Sequence, residues 1–220
     1  MHLTDYQALL IDCDGVLIDH ESGIWSALQQ FQQNLPHDAL NRQQLMSDYH
    51  RTLNELMPRL SELGFTGCLC FAYRQLMESH GYQPSWRESL RFARAVVNWP
   101  LFEDAPGALL YLRKFYRVLV RCDRETEDVP SLCERLGVSA KEVIIRGETP
   151  EEEKRQLAER GVYPDHLLLV TNACLAAKNS YPAICLLQRP GSLMKKQPKT
   201  TLRISSLAEL VFQHQESLRH

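Results

Sequence analysis

No apolar run in this 220-residue chain approaches the ~20 residues that a membrane-spanning helix requires. Neither sign of charge dominates. Lys and Arg number 25 and Asp and Glu 27, a formal net charge of −2, so the basic field that marks nucleic-acid binders is absent. Met1-His2-Leu3-Thr4-Asp5 has neither the basic region nor the apolar stretch of a secretory signal, and a cytoplasmic protein is expected. The seven cysteines are scattered and odd in number, and none sits in a paired C-x-x-C pattern, which argues against both a zinc ribbon and a disulfide framework. Cys68 and Cys70, the one close pair, read as helix or loop packing, because a buried free cysteine behaves as a small hydrophobe. Repeats and low-complexity tracts are also missing. Lys195-Lys196-Gln197-Pro198-Lys199 reads as a solvated loop rather than a nucleic-acid site.

What is present is the composition of a globular protein, 44% apolar and 24% charged, long enough for one core or for a core with a smaller inserted domain. Tyr6 to Ile11 is a short apolar run that ends in Asp-x-Asp-Gly, as a buried strand entering a tight turn does. Similar runs recur at Val118–Val120, Val143–Ile145, Leu167–Val170 and Ala183–Leu187. Segments with helical spacing lie among them at Ala105–Phe115, Val129–Leu136, Pro150–Arg160 and Asn172–Ser180. This alternation predicts right-handed βαβ units and an α/β fold, a Rossmann-like parallel sheet flanked by helices. Leu202-Arg203-Ile204 reads as an edge strand, and Ser206 as the N-cap of a last helix with Glu209 as its capping-box partner.

Residues 19–98 break that rhythm. Ile24, Trp25, Leu28 and Phe31 fall at helical spacing, as do Leu53, Leu56, Met57 and Leu60. Leu69, Tyr73, Leu76 and Met77 make a third apolar face, and Leu90, Ala93, Val96 and Val97 a fourth. The expected organisation is therefore a core domain of residues 1–18 and 99–220, with an inserted all-helical cap of 19–98. Such an insertion can cover the carboxyl ends of the strands, where open α/β sheets bind ligands.

The loop Asp12-Cys13-Asp14-Gly15 carries the chemistry. One carboxylate at a strand end can attack an electrophile while a second, two residues on, handles the proton. Gly15 permits the sharp turn. Two such charges ~4 Å apart repel by about 4 kcal/mol at an effective dielectric of ~20, and a bound Mg²⁺ is a common remedy. A turn whose Asp side chains only cap the backbone would show the same dipeptide.

Leu9-Leu10-Ile11-Asp12-Cys13-Asp14-Gly15-Val16-Leu17 resembles the first motif of the haloacid dehalogenase (HAD) superfamily, apolar residues followed by D-x-D-G-[TV]-[LV]. Ile18-Asp19-His20-Glu21-Ser22-Gly23-Ile24 is similar to the dehalogenase-like branch at the same place. So is Trp99-Pro100-Leu101-Phe102-Glu103-Asp104-Ala105-Pro106, which resembles that branch's entry into its core domain. Val170-Thr171-Asn172-Ala173, Ala183–Arg189 and Ile204–Leu210 resemble the later elements. The resemblance implies that Asp12 is a nucleophile forming an aspartyl ester and that Asp14 is the general acid/base found in the phosphatases. It also implies a possible Mg²⁺ on Asp12, Asp14 and Asn172. Asn41-Arg42-Gln43-Gln44-Leu45 is similar to the cap segment whose arginine grips a substrate carboxylate, which makes Arg42 a substrate-binding candidate.

The later motifs depart from that pattern. The hydroxyl expected at the end of the second strand is replaced by Cys122, followed by Asp123; both are substrate-binding candidates by position, and Arg121 or Arg124 could bind an anion instead. The lysine of the third motif falls at Thr149, a substrate-binding candidate by position, with Arg146 or Lys178 as possible substitutes. The acidic residue of the fourth motif falls near Leu175, leaving Asn172 with a neutral oxygen, or merely as a helix N-cap. Lys154, after Glu151, Glu152 and Glu153, reads as part of a surface helix.

Two functions follow as expectations. One is a HAD-like hydrolase acting through Asp12 on a small anionic substrate, a phosphoester before a haloacid. The other is a catalytically degenerate HAD-fold protein that binds a metabolite or partner without turnover. Oligomeric state is left open.

Overall fold

In the computed structural model the described residues are 3–30, 41–146, 149–172, 181–189 and 200–219. The readings for Phe31, Lys178, Leu175, the rest of the 173–180 helix and the 195–199 loop fall outside them. The chain forms two compact units, one of residues 1–18, 101–122 and 133–220, the other of 19–100 and 123–132.

The first unit is built on a parallel sheet. Its strands are β1 (Ala8–Asp12), β2 (Arg117–Cys122), β3 (Val143–Ile145), β4 (Leu167–Thr171), β5 (Ile184–Leu187) and β6 (Leu202–Ile204), in the order β3-β2-β1-β4-β5-β6. Every residue of β1, β4 and β5 is buried, as expected of parallel strands covered on both faces, and it explains their unbroken apolar sequence. One core layer joins Leu10, Leu119, Leu157, Leu169, Tyr181 and Leu186. The order places β1 centrally, so residues just beyond Asp12 emerge between the ends of β2 and β4.

Helices α5 (Ala105–Leu112), α6 (Val129–Leu136), α7 (Pro150–Glu159) and α8 (Leu207–Ser217) alternate with or follow these strands. Ser206 caps α8 by accepting from the Glu209 N–H at 3.0 Å. The reciprocal half of the expected box is displaced by one residue: Glu209 accepts from the N–H and hydroxyl of Ser205, both at 2.7 Å.

The other unit contains α1 (His20–Gln29), α2 (Arg42–Leu56), α3 (Leu60–Ser79) and α4 (Trp86–Arg94). The buried face of α2 is Leu45, Met46, Tyr49 and Thr52, not the expected Leu53, Leu56 and Met57, which are half-buried. The longer stripe, spaced i, i+1, i+4 and i+7, buries an aromatic ring that the expected one lacks. Residues 123–132 pack with these helices through Glu125, which accepts from the Thr66 N–H at 3.2 Å and from its hydroxyl at 2.5 Å. No described helix is long and apolar enough to cross a membrane.

Two features fix the loop after β1. Gly15 has φ +79°, and a Cβ there would lie 1.8 Å from Asn172 Nδ2. Arg189 donates to Val16 O at 3.0 Å, pairs with both oxygens of Asp104 at 2.8 and 3.2 Å, and lies over the Phe102 ring. Asp104 also accepts from the Leu207 N–H at 2.8 Å, joining the starts of α5 and α8. Burial alone would raise the Asp104 carboxyl, but Arg189 and the backbone N–H donors outweigh it and hold it below the usual range.

Gly15→Ala should cost about 1–3 kcal/mol in urea unfolding from backbone strain. Adding Asn172→Gly should recover only the steric part. Because the folded Asp104 is depressed, its contribution is complete above the ordinary Asp value of ~3.9 and fades as pH falls through the lower folded value. Asp104→Asn should therefore destabilise the protein by about 1–3 kcal/mol at pH 7 and flatten the acid limb of its stability curve.

Candidate active site

Asp12 ends β1 directly opposite Arg121 of β2, and the preceding pair Ile11–Val170 sets Thr171 beside it on the other flank. The three side chains meet. Arg121 Nε donates to Asp12 Oδ1 at 2.6 Å, and Thr171 Oγ1 donates to Oδ2 at 2.5 Å. Arg146, just after β3, brings a second guanidinium to 3.6 Å from Oδ1. Asp12 is only 3% exposed.

The network continues inward. Arg121 Nη1 donates to Glu153 Oε1 at 3.0 Å, and the Tyr181 hydroxyl donates to the same carboxylate oxygen. The Tyr181 ring lies 5.8 Å from the Arg121 guanidinium. Burial by itself would lower the Arg121 pKa, but Asp12 and then Glu153 raise it above its ordinary value, so the guanidinium stays charged. Burial and the bond to Glu153 likewise push the Tyr181 hydroxyl up, which keeps it a donor. Two carboxylates and two guanidiniums thus compensate one another around a buried Asp12.

The structure divides the expected site residues. Asp14 and Asn172 lie with Asp12 at the carboxyl end of the sheet: Asp14 bridges to Ile18, and the Asn172 amide covers Gly15. Cys122 is buried as the last residue of β2, with its carbonyl accepting from the Arg146 N–H at 2.8 Å. Thr149 is the exposed N-cap of α7, accepting from Glu152 N–H at 3.4 Å. Asp123 and Arg124 belong to the helical unit, where Arg124 lies over the rings of Phe65 and Trp99 at 4.8 and 5.1 Å. Arg42 opens α2 in that same unit, 5.6 Å from the Trp25 ring.

Glu153 is a correction. It reads as one of three acids on a surface helix, yet it is buried, because its position on α7 turns it toward Arg121. The available signal was Arg121 itself: an arginine between the apolar run Val118-Leu119-Val120 and Cys122 needs buried partners. Nothing local marks Tyr181 or Thr171 as members of the network.

Magnesium fits these residues poorly. Both Asp12 oxygens accept hydrogen bonds, and two guanidiniums already supply positive charge where a cation would sit. Among the described residues, no set of three or more His, Cys, Asp or Glu ligand atoms gathers on Asp12.

The chain matches no family model and no curated protein sequence. Solved structures do match it. The defluorinating L-2-haloacid dehalogenase Rha0230 has TM-score 0.75 and 15% identity, covering 96% of this chain and 95% of its own. The L-2-haloacid dehalogenase of Xanthobacter autotrophicus with chloropropionic acid covalently bound has TM-score 0.73 and 15% identity, with 94% and 97% covered. A HAD-hydrolase candidate, YfnB of Bacillus subtilis, bound to magnesium, has TM-score 0.73 and 16% identity, with 95% and 98% covered. At such identities the likeness is one of fold, and the fold is the one these structures share: a Rossmann-like parallel sheet flanked by helices.

Arg121→Met should destabilise the protein by about 3–5 kcal/mol, because it strands Asp12 and Glu153 in the interior. In a double-mutant cycle, adding Glu153→Met should restore part of that loss, as read from urea unfolding midpoints.

Proposed function

We propose that this chain is a HAD-type hydrolase in which Asp12 is the nucleophile, Arg121 and Arg146 supply the positive charge of the missing lysine, and the substrate is a small organic anion. The observation that carries the reading is the Arg121–Asp12 contact of 2.6 Å. It fixes the Asp12 carboxyl beside a buried positive charge at the carboxyl end of a central strand, where open α/β sheets bind ligands.

In this reaction an Asp12 carboxylate oxygen forms a bond to the electrophilic carbon of a 2-haloacid while the carbon–halogen bond breaks and halide leaves with its electron pair. Water then adds to the carbonyl of the aspartyl ester. Asp14 accepts the proton from that water, the hydroxyacid departs and the Asp12 carboxylate is regenerated. The arrangement suits a carbon centre better than a phosphoester. Phosphoryl transfer leans on cations that bridge the phosphoryl oxygens, and the residues around Asp12 make a poor magnesium site. Asp14 is the feature that supports phosphoester chemistry.

The same burial favours a second reading. Asp12 is 3% exposed, and both its oxygens already accept hydrogen bonds. A chain with this arrangement could retain the loop and bind a metabolite or partner without turnover.

The purified protein should be assayed with 2-chloropropionate and with p-nitrophenyl phosphate, each with Mg²⁺ and with EDTA. Halide release is expected in EDTA, reduced at least about 10³-fold by Asp12→Asn and about 10²–10³-fold by Arg121→Met. Phosphate release that needs Mg²⁺ would move the assignment to the phosphatases. Turnover that survives Asp12→Asn would exclude Asp12 as nucleophile, and no turnover of either substrate would establish the second reading.

A further inference from the structure

The helical unit holds a second cluster of chemically active side chains, sharing no residue with the Asp12 network. His20 opens α1, Glu21 follows it, and His50 lies on α2. The two imidazoles meet edge to face, with ring centroids 5.9 Å apart. One ligand atom from each of His20, Glu21 and His50 lies within 4.8 Å of the others.

Two ring nitrogens there, His20 Nδ1 and His50 Nε2, are shielded from solvent and have no hydrogen-bond partner. A shielded polar atom left unsatisfied is costly, so two of them in one cluster point to an occupant. A neutral imidazole presents a lone pair, which is the form a metal binds.

We propose that His20, Glu21 and His50 form a site for a divalent transition-metal ion, Zn²⁺ by preference, with water completing the coordination. Two imidazoles and one carboxylate make a ligand set suited to zinc and its neighbours, whereas Mg²⁺ favours oxygen ligands alone. Ligand atoms around a tetrahedral ion at ~2.1 Å stand about 3.4 Å apart, so the three close on the ion by side-chain rotations of about an ångström. Bound there, the ion links the first turn of α1 to α2 across the intervening chain, and so stabilises the helical unit.

The test is calorimetric titration of the full-length, metal-stripped protein with ZnCl2, beside MgCl2 and CoCl2, with circular dichroism to establish that each variant is folded. One Zn²⁺ per chain should bind, raise the melting temperature and resist a large excess of Mg²⁺. His20→Gln and His50→Gln should each weaken Zn²⁺ binding by about 100-fold or more, and Glu21→Gln by about 10-fold. The absorption bands of tetrahedral Co²⁺ should appear with the wild type and vanish with His50→Gln. Glu21 is exposed on the first turn of α1, so Glu21→Gln remains informative even where a histidine variant fails to fold. No Zn²⁺ uptake by the wild type would overturn the proposal. So would an affinity unchanged in Glu21→Gln and in a folded histidine variant.

Discussion

The ion pair between Asp12 and Arg121 is the constraint around which the sheet end is arranged. A carboxylate placed at the end of a fully covered parallel strand is cut off from water and needs a counter-charge within hydrogen-bonding reach. The strand beside it meets that need at the same level of the register, so no loop has to travel to Asp12. The answer creates a second demand, because a buried guanidinium has five donors and one carboxylate satisfies only part of them. Glu153 from α7 takes another donor, and Tyr181 in turn donates to Glu153. Each member is buried because the preceding one is.

The arrangement both supports and restrains the chemistry of Asp12. The guanidiniums place positive charge against both the carboxylate and any anion that approaches it. They also draw its charge into hydrogen bonds, so that less of it is left to act on another group than in a carboxylate paired only at a distance. A divalent cation brought to the same oxygens would have to displace donors held by the sheet itself. The loop beyond Asp12 is equally tight, with Gly15 in left-handed backbone under the Asn172 amide.

The strand–helix alternation was legible in the sequence because parallel strands covered on both faces are apolar throughout, and the runs at 143–145 and 202–204 coincide with β3 and β6. Asp12 was legible because its loop has a distinctive sequence. Its partners were less so. Arg121 stood out only as a charge beside an apolar run, and Glu153 was disguised by the neighbouring acids, the exposed Glu151 and the half-buried Glu152. Thr171 and Tyr181 reach the network only through strand order and packing, which no local pattern records. The error on α2 has a similar origin: two apolar stripes fit helical spacing, and the buried one is set by tertiary contact with α3 rather than by periodicity.

Arg121 and Glu153 are best understood as a single unit. A lysine near the start of α7 would present one compact charge to Asp12 and could leave its other protons to water. An arginine entering from β2 is planar, permanently charged and buried along its length, so its far edge has no access to solvent. It is tolerable there only if a second carboxylate meets that edge, and the Glu153 oxygen 3.0 Å from Nη1 does so. α7, capped by Thr149, contributes that acid one turn later. The positive charge facing Asp12 thus comes from the sheet, and the helix supplies its counter-charge.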